Sequence, residues 1–355
     1  MSTVQTALEE DRWDDAKKRL ASTNQSLRSF EFALLEEQAR RVTKNTGSLI
    51  KRVEMPKDVK TRYGVLNPTN RQLVFICQDG GLRVHDLSNL DQDMVLLPNV
   101  DKSAVWRGVF SHDGKRFFAG HQNGEVIVWN AETWKVIQTI PIGSRPIREL
   151  AVAPDGSAFV AEGQQALELW SLSDDTPKKI GDVGERFSFG EGLSFSPKGD
   201  LVATGGMFVI TTYDANTGAE IEKMRHASYT MGLQFNPDGT RIASAPRGNV
   251  NKLLAVFEVK TGERLFNVGP FKKYVVGLAF TPDGKRIAAT GCEEVLRIFD
   301  STTGQVVLKF DRPECGTNPA FTNDGRLLGW SEPSGYFFID LNSQDADELR
   351  SDERP

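Results

Sequence analysis

Residues 277–310 read GLAFTPDGKRIAATGCEEVLRIFDSTTGQVVLKF, and this stretch decides the fold. GLAF is a short apolar strand that runs into Thr281-Pro282-Asp283-Gly284. Proline presets φ there and glycine permits the reversal. RIAAT (286–290) is a small apolar second strand, and the third ends in the aromatic-acidic pair Phe299-Asp300. STTGQ (301–305) turns the chain into an outer strand, QVVLKF. Short strands punctuated by turns at regular spacing argue for an all-β chain.

The same unit occurs seven times. Its turns are LNPTN from Leu66, FSHDG from Phe110, VAPDG from Val152, FSPKG from Phe195, FNPDG from Phe235, FTPDG from Phe280 and FTNDG from Phe321. Successive starts differ by 44, 42, 43, 40, 45 and 41 residues. Each copy then reaches a pair of the Phe299-Asp300 kind: His85-Asp86, Trp129-Asn130, Trp170-Ser171, Tyr213-Asp214, Phe257-Glu258 and Ile339-Asp340 in the other copies. One such sheet cannot bury both faces alone, so copies must stack. A ring of four-stranded sheets is the usual closed solution.

The period and the terminal pair resemble the WD-repeat family of β-propellers over roughly residues 47–340. The motifs are degenerate, as in divergent bacterial members of that family. Only Trp129 and Trp170 keep the tryptophan, and neither precedes Asp. The position of the family's network histidine holds Lys57, Asp101, Gly143, Arg186, His226, Phe271 and Arg312. Only His226 matches, with Ser244 and Phe257 as companions, while Asp79 alone matches the hairpin aspartate. The blades are therefore expected to rely on apolar packing more than on polar networks.

The expected architecture is a seven-bladed propeller over 47–342, a helical extension over 1–46 and an acidic disordered tail over 343–355. The last copy has three strands, and GSLIKRVEM (47–55) is an orphan strand with no blade of its own. Pairing them, with residues 49–53 outermost in the last blade, removes two open sheet edges. The first 46 residues are rich in helix formers. Helices are expected over about 3–21, with Leu8, Trp13, Ala16 and Leu20 on one face, and about 27–42 behind an Asn24 or Ser26 cap. ALEEDRWDDAKKRL resembles half a tetratricopeptide hairpin, and LRSFEFALLEEQ is similar to a segment preceding WD-repeat domains in some bacterial signalling proteins. The segment reads either as a brace on the propeller or as a second binding site.

Apolar residues make up 39% of the chain and charged residues 26%, with a net charge of −5. No run of eighteen apolar residues exists, so no transmembrane helix is expected. The acidic, polar start does not read as a signal peptide. Three widely spaced cysteines, Cys77, Cys292 and Cys315, favour reduced thiols and a cytoplasmic location.

Catalytic signals are sparse. The four histidines (His85, His112, His121 and His226) and the cysteines lack paired zinc-ligand spacing, and structural roles are expected for all four histidines. No nucleophile elbow or phosphate loop occurs. Neither catalytic residues, a metal site nor a cofactor is expected.

In the resembled family, the innermost strand enters from the top face, and positions six and four residues before the turn anchor touch partners. Carried onto this chain they are Lys60 and Arg62, Ala104 and Trp106, Pro146 and Arg148, Phe189 and Glu191, Tyr229 and Met231, Tyr274 and Val276, and Cys315 and Thr317. Trp, Tyr, Phe, Met and Arg gathered at one rim resemble interface chemistry; alternatively, several only pack strand starts. The resemblance implies a non-enzymatic platform binding a protein or peptide through Lys60, Arg62, Trp106, Arg148, Phe189, Glu191, Tyr229, Met231 and Tyr274. The alternative is a lactonase- or hydrolase-type enzyme with its site in the channel, which the scarcity of inward ligands (only Glu191 is acidic) weighs against. The net charge opposes a general nucleic-acid surface, although Lys60, Arg62 and Arg148 form a local basic arc.

Overall fold

The computed structural model describes residues 50–340 apart from 70–71, 88–93, 99–102, 174–175, 186–191, 248–252, 270, 272, 274, 293–294, 312–315, 323–324, 326 and 333–334. The expected helices of 1–46 and the tail 343–355 lie outside the described residues.

Strand β1 is Ile50–Glu54. The first full blade follows as β2 (Thr61–Leu66), β3 (Gln72–Cys77), β4 (Leu82–Asp86) and β5 (Val95–Leu96). The second is β6 (Val105–Phe110), β7 (Arg116–His121), β8 (Glu125–Asn130) and β9 (Val136–Pro141). The third is β10 (Leu150–Val152), β11 (Ala158–Glu162), β12 (Ala166–Ser171) and β13 (Lys178–Glu185). The fourth and fifth contain β14 (Leu193–Phe195), β15 (Leu201–Gly205), β16 (Met207–Asp214), β17 (Glu220–Phe235), β18 (Arg241–Arg247), β19 (Leu254–Glu258) and β20 (Arg264–Val268). The sixth is β21 (Val275–Phe280), β22 (Arg286–Gly291), β23 (Val295–Asp300) and β24 (Val306–Asp311), and the last contributes β25 (Thr317–Phe321), β26 (Leu327–Glu332) and β27 (Gly335–Asp340). All pairings within the blades are antiparallel meanders. Over the described residues the protein is an all-β, seven-bladed propeller.

The ring is closed by its two ends. β1 pairs with β27 from Ile50↔Ile339 to Glu54↔Gly335, so the orphan strand completes the last blade. At the seam between that blade and the first, the Gly64 N–H donates to Ser331 Oγ at 2.8 Å. A Cβ on Gly64 would stand 2.6 Å from Tyr336 Cδ2, so only glycine permits this approach. Val53, Leu73, Phe75, Tyr336 and Phe338 pack together across the seam.

One departure from seven separate sheets lies between the fourth and fifth blades. β17 is a continuous strand of 16 residues that pairs with β16 through Tyr229 and with β18 from Tyr229 onward. The two blades thus form one seven-stranded sheet. The residues offer a reason: EIEKMRHASYTMGLQF has no proline or turn pair to break it, whereas the linker into the third blade contains Gly143 and Pro146.

The repeat motif has a local mechanism. In FSHDG, Ser111 Oγ donates to Asp113 Oδ1 at 2.6 Å, and the Lys115 N–H donates to the same carboxylate at 3.0 Å. FTPDG repeats this with Thr281 and Asp283 at 2.6 Å. The glycine that follows is left-handed, with φ of 68° at Gly114 and 70° at Gly284. The acidic member of the terminal pair caps the next turn: Asp300 Oδ1 accepts the Thr302 and Thr303 N–H groups at 2.9 and 2.7 Å. These bonds hold the Asp300 carboxyl below its ordinary value. The aromatic member is core at Trp129, Phe257 and Phe299, at most 2% exposed, and half-buried at Trp170 and Tyr213. The Trp129 indole N–H is buried with no hydrogen-bond partner, in keeping with an apolar rather than networked blade.

Cys77 is a free, buried thiol, but Cys292 is disulfide-bonded. This corrects the expectation of three reduced thiols.

Candidate interaction face at the ring mouth

The seven innermost strands surround a channel of about 580 Å³. Its mouth on one side is built by the first three blades. Arg62 on β2, Trp106 on β6 and Arg148 just before β10 occupy the same repeat position, four residues before each turn anchor. The stacking of three consecutive blades brings them together. The Arg62 guanidinium lies 4.2 Å from the centroid of the Trp106 ring, and that of Arg148 lies 5.1 Å from it. Arg62 and Trp106 are half-buried and Arg148 is exposed.

The residues around them fix this cluster in place. Tyr63 donates its hydroxyl to the Trp106 carbonyl at 3.2 Å and accepts the Gly108 N–H at 2.8 Å. One side chain of the first blade thus holds the second blade's strand on both sides of Arg107. Burial pushes the Tyr63 hydroxyl up to about 12, against the opposing influence of Arg107 and Gly108. The Arg148 N–H donates to Glu162 Oε2 at 3.0 Å, and the Glu162 N–H donates to the Glu149 carbonyl at 3.0 Å. Arg107 sits deeper, 5.5 Å from the Tyr63 ring centroid. Burial acts to lower its pKa, but the Glu149 carboxylate and the Tyr63 hydroxyl together outweigh this and hold the guanidinium above its ordinary value.

The channel wall is lopsided. Three residues before each anchor stand Tyr63, Arg107 and Glu149 in the first three blades. The next three blades have Gly192, Gly232 and Gly277 there, and the last has Asn318. A Cβ on Gly192 would lie 2.2 Å from Leu233 Cβ, and one on Gly277 would lie 2.4 Å from Pro319 Cδ, so the far wall is drawn in to backbone.

Of the partner-contact residues read from the sequence, Arg62, Trp106 and Arg148 form one cluster. Lys60 is exposed just before β2. Met231 is half-buried and lines the channel with Val276 and Thr317, nearer to the packing role than to the rim. The Tyr229 backbone pairs with Met207 and Arg247, and its side chain lies outside the described residues. Phe189, Glu191, Tyr274 and Cys315 also lie outside them. Tyr63, Arg107 and Glu149 were missed. The signal for them was the column one residue nearer the anchor, where bulky polar residues in three blades face glycines in three others.

Among the described residues, no three His, Cys, Asp or Glu side chains cluster as metal ligands, and no helix is long and apolar enough to cross a membrane. His85 and His121 are buried, and His121 Nδ1 lies 3.2 Å from the Ser103 carbonyl. His112 is an exposed turn residue.

No family model matches the chain. In sequence it is similar to the U3 small nucleolar RNA-associated protein 4 homolog of Homo sapiens, 23% identical over 195 residues, covering 52% of this chain and 28% of that protein. It is similar to the WD repeat-containing protein SL1-17 of Schistosoma mansoni, 26% identical over 141 residues, covering 39% and 46%. The serine-threonine kinase receptor-associated protein of Gallus gallus matches at 23% over 187 residues, covering 52% and 51%. These matches span about half or less of each relative's length. In fold it is similar to the Cps50 (Swd1) β-propeller domain of Myceliophteria thermophila, with a TM-score of 0.65 at 15% identity, covering 79% of this chain and 97% of that one. The fold likeness is that of a β-propeller, and the sequence relatives include a WD-repeat protein. These relatives are eukaryotic and lend no support to a bacterial origin.

Proposed function

We propose that this protein is a non-enzymatic interaction platform that binds a protein or peptide on the face where the innermost strands begin. The observation that carries this is Trp106, an aromatic anchor flanked by Arg62 and Arg148 from the neighbouring blades at the mouth of the channel. Trp and Arg dominate binding energy at interfaces because they bury large area in well-packed settings. Two relatives bear names describing association, one with a small nucleolar RNA and one with a kinase receptor, and this supports the platform reading without naming a partner here. In the enzyme alternative the channel would need a free acid or base. Its acidic wall residue, Glu149, instead sits beside Arg107. The division into a propeller over 47–342, a helical 1–46 and an acidic 343–355 belongs to the same proposal.

Trp106→Ala tests it. The variant is expected to lose about 2 kcal/mol or more of partner binding, roughly a thirtyfold weakening. Affinity purification with mass spectrometry on wild type and variant, together with a thermal melt, reads the result. Selective loss of partners with a melting point near wild type supports the platform. An unchanged partner list with a lowered melting point assigns Trp106 to packing and ends the proposal.

A further inference from the structure

Resting on the platform reading, the geometry points to a partner of defined chemistry: we propose that Arg62, Trp106 and Arg148 receive an oxyanionic side chain of an extended peptide, a carboxylate or a phosphoryl group. Two guanidinium groups are held against one indole, at 4.2 and 5.1 Å. The two charges are therefore separated by no more than about one Debye length, roughly 8–10 Å at ordinary salt, and repel each other. Among the described residues neither makes a salt bridge to a carboxylate. Stacking on the ring occupies the flat face of a guanidinium and leaves its N–H edge for an acceptor, the geometry by which arginine takes carboxylate and phosphate.

Arg62 Nε, Trp106 Nε1 and, deeper in the channel, Arg107 Nε are shielded from solvent and have no hydrogen-bond partner, so the terminal N–H groups of Arg62 and Arg148 are the ones that would meet a ligand. The cluster is also preorganised. The Tyr63 hydroxyl fixes the Trp106 and Gly108 backbone, and the Glu162 carboxylate fixes the Arg148 backbone. A nucleic acid fits less well. The chain carries a net charge of −5, and a polyphosphate needs a basic track rather than one paired cluster.

The test uses the full chain on an array of 12-residue peptides whose central residue is phosphoserine, glutamate, glutamine or lysine, with flanks free of other acids. A labelled 12-nucleotide oligouridylate is titrated in parallel. The expected result is retention of glutamate or phosphoserine peptides about tenfold or more above their glutamine counterparts, the two arms telling carboxylate from phosphoryl. Arg62→Ala and Arg148→Ala should each lower that retention about tenfold or more, and Arg→Lys should restore it only in part, since lysine lacks the planar fork. Thermal melts accompany every variant, and if Arg62→Ala unfolds, Arg62→Lys carries the comparison. Equal retention of glutamine or lysine peptides overturns the oxyanion assignment while leaving the platform standing. Tighter binding of oligouridylate, or no retention of any acidic peptide, also overturns it, and the platform is then judged by the Trp106→Ala purification alone.

Discussion

Deleting residues 1–55 should destabilise the protein by about 3–5 kcal/mol and make it prone to self-association, whereas deleting 1–45 should cost less than about 1 kcal/mol. The larger deletion removes β1 and the five register pairs from Ile50↔Ile339 to Glu54↔Gly335. It takes away Val53, 5% exposed, from its contacts with Tyr336 and Phe338. Burying a valine is worth about 1.5–3 kcal/mol, and each paired backbone hydrogen bond adds roughly 0.5–1.5 kcal/mol net. It also leaves β27 as an open edge, the usual template for aggregation. The melting point should fall by about 4–7 °C for a chain of this size. The shorter deletion leaves β1 in place. Two truncations that melt like the full chain would show that the ring does not depend on this strand.

Two buried tyrosines should make the protein sensitive to alkali. Burial holds the Tyr63 hydroxyl at about 12 and raises that of Tyr336 as well. In the unfolded chain both titrate near ~10. Between those values the unfolded chain releases the Tyr63 proton while the folded chain keeps it. Its contribution is therefore complete below pH ~10 and lost as pH rises toward 12, on the order of 2–3 kcal/mol. The two residues separate on substitution. Tyr63→Phe leaves the Gly108 N–H without its acceptor and should cost about 1–3 kcal/mol at pH 8. The Tyr336 hydroxyl has no partner, so Tyr336→Phe should be neutral or stabilising by up to about 2 kcal/mol. Both variants should lose less stability than wild type between pH 8 and 11. Denaturant titrations at those pH values read this directly, and a Tyr336→Phe variant clearly weaker at pH 8 would contradict it.

The ring was legible because its signals are local. Pro-Asp-Gly turns, strand periodicity and the pair such as Phe299-Asp300 each act within a few residues, and the regular spacing did the rest. Closure followed from an orphan strand at one end and a three-stranded copy at the other. Arg62, Trp106 and Arg148 could be found because the contact position of the resembled family, carried onto three consecutive copies, falls side by side once those blades stack. The missed features depend on relations between blades. Tyr63 matters through bonds to Trp106 and Gly108, more than forty residues away. The disulfide at Cys292 depends on proximity in space, which wide sequence spacing had argued against. The continuous β17 is a local feature that the repeat reading overrode, by placing a blade boundary where no breaker residue stands.

The central claim, that the ring mouth is where partners bind, is tested most directly by site-specific photocrosslinking in cells. A photoreactive benzoylphenylalanine is placed at Lys60, exposed on the rim, or at Ile137, 54% exposed on the outer strand β9. The account predicts discrete protein adducts from position 60 that disappear with Trp106→Ala, and none of them from position 137. The same adducts from position 137, or adducts at position 60 that persist with Trp106→Ala, would contradict it.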